Sequence, residues 1–242
     1  MDPIAFEIFG IGIRWYGIFM ATAICLGSII VIKGSKRLGY EENDIIDLLL
    51  WAVPSGVIGA RLYYVAFEWQ QYQGDIMKII NIRNGGMAIH GAIIGGVIAG
   101  YLFCKRRKID FWKLLDLAAP AIILGQAIGR WGNYVNQEAH GGPTDLPWGI
   151  MVDGVKVHPT FLYESIWNVL VFGFLLFFSK KKKSNGEVFG MYMIGYSIGR
   201  FFIEGLRTDS LMFLGLRMAQ MISLALIVLG VVLIRNRRKA QN

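Results

Sequence analysis

The sequence predicts an all-α integral membrane protein of about seven transmembrane helices, with an outside N-terminus, a cytoplasmic C-terminus and a small external cap. Three observations carry this expectation. Hydrophobic residues make up 55% of the 242 positions and charged residues 17%, with a mean hydropathy of +0.47; a soluble domain averages roughly 45–50% apolar and about 25% charged. The apolar residues gather into seven runs. Basic residues concentrate in every second connection between those runs.

The runs cover residues 14–32, 45–67, 90–104, 112–128, 161–178, 188–205 and 218–234. A helix of about 20 apolar residues spans the hydrocarbon core of a bilayer. The third run is short and rich in glycine (Gly91, Gly95, Gly96, Gly100), and Gly85-Gly86 precedes it. Small residues at that density predict close helix packing, with a thinned span or a re-entrant piece as alternatives.

The connections after runs one, three, five and seven hold Lys33, Lys36 and Arg37; Lys105, Arg106, Arg107, Lys108 and Lys113; Lys180 to Lys183; and Arg235, Arg237, Arg238 and Lys239. Together they carry 16 of the 25 Lys and Arg. The positive-inside rule makes these connections cytoplasmic. The formal net charge of +8 then needs no nucleic acid: the basic clusters set topology beside anionic lipid headgroups.

The N-terminus lacks a basic n-region and a small-residue cleavage site, so no cleaved signal peptide is expected. Cys25 and Cys104 lie in or at the end of apolar runs and read as packing residues, without metal or disulfide spacing. The whole chain, 1–242, reads as one transmembrane domain with an external cap at about 131–160. Alternation over residues 148–157 predicts a hairpin turning at Asp153-Gly154.

Nine basic residues fall outside the cytoplasmic clusters: Arg14, Arg61, Lys78, Arg83, Arg130, Lys156, Arg200, Arg207 and Arg217. An arginine deep in a span costs ~2.5–3.5 kcal/mol on insertion scales and persists because it faces a partner, water or a ligand. Tyr196, Arg200, Glu204 and Arg207 fall at about 0°, 40°, 80° and 20° around a helix, on one face. Arg200 lies about 18 Å along its run from Val188, in the outer half of the core. Two arginines to one carboxylate predict a positive surplus on that face.

The same topology brings further polar groups to the outer level. Arg130, Asn133, Asn136 and Glu138 follow the fourth run. His90 opens the third, His158, Tyr163 and Glu164 the fifth, and Arg14, Trp15 and Tyr16 the first. Residues 129–141 read as a polar connection between helices. Such a constellation suits an anionic phospholipid headgroup. Arginine pairs bidentately with phosphate and stays charged, asparagine orients glycerol or phosphate oxygens, and an imidazole exchanges a proton near neutrality. Zinc spacing, a G-x-S-x-G elbow and a P-loop do not occur. These residues alone reach an outer-leaflet anionic-lipid binder or enzyme. A lipid carrier and a purely structural Arg–Glu network stay open beside it.

The run Gly129-Arg130-Trp131-Gly132-Asn133-Tyr134-Val135-Asn136-Gln137-Glu138-Ala139-His140-Gly141 resembles the signature G-R-x-G-N-F-x-N-x-E-x-x-G of the bacterial phosphatidylglycerol–prolipoprotein diacylglyceryl transferase family. Tyr134 stands where Phe is usual. The resemblance extends to Arg14-Trp15-Tyr16-Gly17, Gly86-Met87-Ala88-Ile89-His90-Gly91, His158-Pro159-Thr160-Phe161-Leu162-Tyr163-Glu164 and the run from Tyr196 to Glu204, with Phe161 replacing a frequent Gln.

The resemblance implies an enzyme in the bacterial cytoplasmic (inner) membrane, its active site facing the outer leaflet. It would transfer diacylglyceryl from phosphatidylglycerol to the lipobox cysteine of prolipoprotein signal peptides, releasing glycerol 1-phosphate, with no cofactor or metal. His90 and Arg200 are then the catalytic candidates. Arg130, Asn133, Asn136, Glu138, Tyr16, Tyr196, Glu204 and Arg207 would bind phosphatidylglycerol, and Gly141, His158 and Glu164 would give cap or structural support. His140 is left outside the chemistry.

Overall fold

The computed structural model describes residues 2–82, 85–213 and 215–240, and only the backbone of Ile11. Arg83 lies outside the described residues. A hairpin of β1 (Ile4–Ile8) and β2 (Ile11–Arg14) leads into α1 (Trp15–Arg37), α2 (Glu42–Phe67), α3 (Trp69–Tyr72), α4 (Ile76–Ile80), α5 (Ile89–Arg107) and α6 (Phe111–Asn136). The hairpin β3 (Ile150–Val152) and β4 (Val155–Val157) precedes α7 (Thr160–Ser179) and α8 (Glu187–Glu204). A last short hairpin, β5 (Met212–Phe213) and β6 (Leu216–Arg217), precedes α9 (Met218–Lys239).

Each apolar run forms a helix. Five of them (α1, α2, α6, α7 and α9) are long and apolar enough to cross a membrane; α5 has 19 residues and α8 has 18. Leu50, Ile58, Leu170 and Leu224 are all more than half exposed. A helix surrounded by water presents polar groups there instead. The chain is a mostly helical protein with the surface of a membrane protein.

The helix boundary differs from expectation at α6. It runs to Asn136, so Arg130, Trp131, Asn133, Tyr134 and Asn136 sit on its last turns and not in a connection. Polar side chains do not break a helix, and Gly132 within it is needed for close packing. A Cβ on Gly132 would come within 2.9 Å of the Tyr16 ring at Cε2. The expected cap hairpin is present. Asp153 (φ 47°) and Gly154 (φ 80°) both adopt left-handed backbone at its turn, as a tight two-residue hairpin requires.

By internal contacts the chain divides into two compact units: residues 1–31 with 115–242, and residues 32–114. In the first, Ala119 and Ile123 of α6, Val171 and Leu175 of α7 and Val188 of α8 form a buried core. α9 packs closely on α8, where a Cβ on Gly230 would lie 2.8 Å from the Gly190 carbonyl oxygen. The α7–α8 turn is clamped. Buried Asp116 accepts hydrogen bonds from Lys182 Nζ (2.8 Å), Gly186 N (2.8 Å) and Phe189 N (2.9 Å). Buried Glu187 accepts from Arg238 Nε (2.9 Å) and Ser184 Oγ (2.8 Å). Buried carboxylates are tolerated when so fully partnered.

In the second unit α2 and α5 meet through glycines. A Cβ on Gly59 would strike the Gly91 carbonyl oxygen, and one on Gly95 the Ser55 carbonyl oxygen, as expected for small-residue helix contacts. Arg61, buried on α2, gives its guanidinium to backbone: Nε donates to Ile79 O (2.8 Å), Nη1 to Gly85 O and Gly86 O (both 2.8 Å), and Nη2 to Lys78 O (2.6 Å) and Asn81 O (2.9 Å). All five donors of the fork thus hold the segment that leads into α5.

Candidate active site

Three helices of the first unit contribute charged side chains to one network. Glu164, on the second turn of α7 and 4% exposed, lies between two arginines. Its Oε2 is 2.5 Å from Arg130 Nε of α6, and its Oε1 accepts a 2.6 Å hydrogen bond from Arg200 Nη1 of α8. Arg200 Nη2 is 2.7 Å from Glu204 Oε2, one turn along α8. Arg207 stands 3.8 Å from the same oxygen and forks onto Asp209, at 2.9 Å through Nε and 2.7 Å through Nη2. Arg217 Nη1 donates to the carbonyls of Glu204 and Arg207, the latter at 3.0 Å, at the C-terminal end of α8. A cation is favourable at that end of a helix.

This geometry sharpens two expectations. Arg130, Arg200 and Arg207 meet Glu164, Glu204 and Asp209, while Arg217 is held by backbone carbonyls, so the surplus expected of the Arg200 face comes to one guanidinium over the whole network. Two of those carboxylates come from outside α8, so its own periodicity cannot reveal them. Glu164, expected to give cap or structural support, is the buried bridge between the arginines. The network keeps open donors: both Nη nitrogens of Arg130 are without a hydrogen bond among the described residues.

Glu138 lies just beyond α6, in an exposed turn where Gln137 (φ 54°) and Ala139 (φ 58°) both adopt left-handed backbone. Its Oε1 accepts from Asn133 Nδ2 (3.0 Å) and Asn136 Nδ2 (3.2 Å). The three residues form one cluster beside Arg130 in sequence, but Glu138 pairs with the amides and not with that arginine. Gly141 joins the cap to the end of α8: its N–H donates to His158 O (2.9 Å), Gly142 N to Leu206 O (3.1 Å) and His158 N to Gly142 O (3.0 Å). A Cβ at Gly141 would come within 2.7 Å of His158 Cβ and 3.0 Å of Leu206 O, so this crossing needs glycine. Tyr163 OH accepts from Trp148 Nε1 (3.0 Å) and lies 3.3 Å from His158 Nδ1. His140 Nδ1 is 3.1 Å from Gly141 O.

The family model for prolipoprotein diacylglyceryl transferase matches residues 3–235. The chain belongs to this family. It is 56% identical over 232 residues to a protein of Clostridioides difficile (strain 630), covering 96% of this chain and 94% of the relative. A relative from Finegoldia magna is 53% identical over 234 residues (96% and 94%), and one from Clostridium novyi 50% identical over 244 residues (97% and 95%). All three are named phosphatidylglycerol–prolipoprotein diacylglyceryl transferase.

In this member of the prolipoprotein diacylglyceryl transferase family, Tyr16 packs its ring on Gly132 of the signature, and Tyr196 stacks on Tyr192 with centroids 6.2 Å apart. Phe161 stacks on Tyr134 at 4.7 Å and meets Trp131 edge-on at 5.4 Å, so the usual Gln is replaced by an aromatic seam. His90 belongs to the second unit, where it is exposed on the first turn of α5 with its ring 5.9 Å from that of Tyr63.

Further polar groups escaped the sequence reading. Gln126 Oε1, Asn168 Nδ2 and Ser197 Oγ are buried without hydrogen-bond partners among the described residues. Gln126 is four before Arg130, Asn168 four after Glu164, and Ser197 three before Arg200. Those spacings put each on the helix face of its charged neighbour, a signal available in the sequence.

Proposed function

We propose that this chain is a membrane transferase that moves the diacylglyceryl group of phosphatidylglycerol onto the lipobox cysteine of a prolipoprotein signal peptide. In this reading seven helices span the bacterial cytoplasmic membrane, with the N-terminus outside and the active site at the outer leaflet. The observation that carries it is the pair of arginines on one buried carboxylate, Arg130–Glu164–Arg200, one residue from the signature and one from each of two other blocks of the resemblance.

The chemistry makes definite demands. The cysteine S–H gives its proton to a base, and the sulfur attacks the glyceryl carbon that bears the phosphodiester oxygen. The C–S bond forms as the C–O bond breaks. The bonding pair leaves with glycerol 1-phosphate, whose phosphate gains one negative charge and can take up the proton. Donors held in place before reaction stabilise that charge. Arg130 offers its open fork to the phosphate, and Arg200, fixed by Glu164 and Glu204, completes the positive wall. Asn133, Asn136 and Glu138 hold the glycerol portion, and Tyr16 and Tyr196 border the reacting carbon. Arg207, expected to bind the lipid, is already taken by Asp209 and instead ties the post-α8 loop to the network. His158 and Gly141 support the cap. His90 is the proposed base, on the Gly86–Gly91 block of the resemblance.

The close pairing of Arg130, Arg200 and Arg207 with three carboxylates favours one alternative, a structural network without turnover. Arg200→Lys separates the two readings, since it keeps the charge and loses the fork. The transferase reading expects a folded Arg200→Lys protein with transfer reduced roughly 10²–10³-fold. Near-parental transfer removes Arg200 from the chemistry. For His90→Gln the expected result is slow transfer that recovers as pH rises toward about 8.5, where a free thiol ionises unaided. Retained activity with an unchanged pH profile rejects His90 as base.

A further inference from the structure

The second unit contains a groove of about 630 Å³ between α2 and α5, none of whose lining residues is assigned to transfer. We propose that it binds one anionic phospholipid of the cytoplasmic leaflet, with Arg106 meeting the phosphate and an acyl chain lying in the groove. The proposal rests on the membrane topology of the reading above but not on the transfer reaction.

The site is built by the helix contact itself. Gly59 and Gly95 draw the two backbones together and leave the floor of the groove without side chains, while Ile58, Leu62, Ile98 and Leu102 line it with hydrocarbon. Its polar end carries Asp47, Arg106 and Arg107. Arg107 is spent on two carboxylates, at 2.7 Å from Asp47 and 3.4 Å from Asp44. Arg106 is exposed, with no ion pair among the described residues. The charged lining therefore leaves one cation open, the complement of one phosphodiester. Arginine suits that role, since its fork matches phosphate and its stem lies along apolar surface.

The length of the groove suits a lipid. From Gly95 to Arg106 is eleven residues, ~16 Å along α5, which is half of a ~30 Å hydrocarbon core and so one leaflet. An alkyl chain fits with its charged end at the level of Arg106, on the connection that the positive-inside rule makes cytoplasmic.

Trp51 lines the groove one turn from Asp47 and reports on its occupant. The full chain is reconstituted in vesicles doped with acyl-brominated phosphatidylglycerol or acyl-brominated phosphatidylcholine, and the Trp51 signal is the difference between the parent and Trp51→Phe. Lipid in the substrate site does not enter that difference unless it touches Trp51. The expected result is stronger quenching by the anionic lipid, with a preference on the order of fivefold, the factor one basic residue confers at a membrane surface. The preference should vanish in Arg106→Gln, while Ala99→Phe, which fills the groove, lowers quenching by both lipids. Prolipoprotein transfer should persist in Arg106→Gln. Equal quenching by the two lipids, an unchanged preference in Arg106→Gln, or no quenching of Trp51 because a protein surface covers the groove would each overturn the proposal. A parent chain that fails to transfer diacylglyceryl but keeps the Trp51 preference would sink the transferase reading alone.

Discussion

A carboxylate shared between two guanidiniums fixes the angle and spacing of both, and Glu164 does this from a position 5% exposed at its side chain. Its removal leaves Arg130 without a carboxylate and Arg200 with Glu204 alone. Breaking a buried ion pair costs on the order of 3–5 kcal/mol, so Glu164→Gln should lower the melting temperature of the purified protein as well as transfer. Glu138 is exposed, and among the described residues its carboxylate bonds Asn133 and Asn136 alone; Glu138→Gln should reduce transfer with little change in melting. A Glu164→Gln protein as stable as the parent contradicts the bridging role. Asp209 allows a pH test outside the helices. The hydrogen bonds from Arg207 hold its carboxyl below the usual range against an opposing effect of burial. Burial disfavours the charge of Arg207, but Asp209, with Glu204 and Glu164, outweighs it and raises that group. A carboxylate depressed in the folded state adds stability that is complete above its unfolded value, about pH 4, and is lost as pH falls through the folded value. The parent should therefore lose melting temperature more steeply below about pH 4 than Asp209→Asn does. Parallel slopes would show that the Arg207 pair adds nothing.

At the scale of elements, the contact between α2 and α5 is decided by backbone approach. A Cβ on Gly91 would fall 2.8 Å from the Gly59 carbonyl carbon, and neither backbone can yield without moving its helix, whereas Gly96 on the same helix has open space. Overpacking of this kind costs about 1–3 kcal/mol. Gly91→Ala should lower the melting temperature, and Gly96→Ala should leave it unchanged or raise it, since alanine suits a helix better than glycine by roughly 0.5–1 kcal/mol; melting of the two variants in one detergent decides it. That contact was legible in the sequence because glycine density has one main use in a spanning helix. The five long apolar helices were legible for a similar reason: about twenty apolar residues are a strong signal. The overrun of α6 was not. Arg130, Asn133 and Asn136 have the composition of a loop, and only the packing of Gly132 on Tyr16 shows why the helix continues. The hairpins at Phe9-Gly10 and before α9 are too short to announce themselves.

For the whole molecule, the candidate site was legible where chemistry lies within one segment and hidden where it lies between segments. The signature named Arg130, Asn133, Asn136 and Glu138, and the periodicity of α8 paired Arg200 with Glu204 as the structure does. No pattern within α8 announces that Glu164 of α7 completes the pair with Arg130, or that Asp209 neutralises Arg207. Those contacts spend Arg200 and Arg207 on carboxylates of the protein itself, and they leave substrate charge to be met by Arg130. Transfer itself can be followed directly. The full chain is given phosphatidylglycerol labelled in its headgroup glycerol and a lipobox peptide, and both products are followed: labelled glycerol phosphate, and the peptide mass increased by one diacylglyceryl group. Both should appear in equal amounts, require the peptide cysteine, and disappear in Arg200→Ala. Lipid that binds without release, or release that does not need the cysteine, would contradict the account.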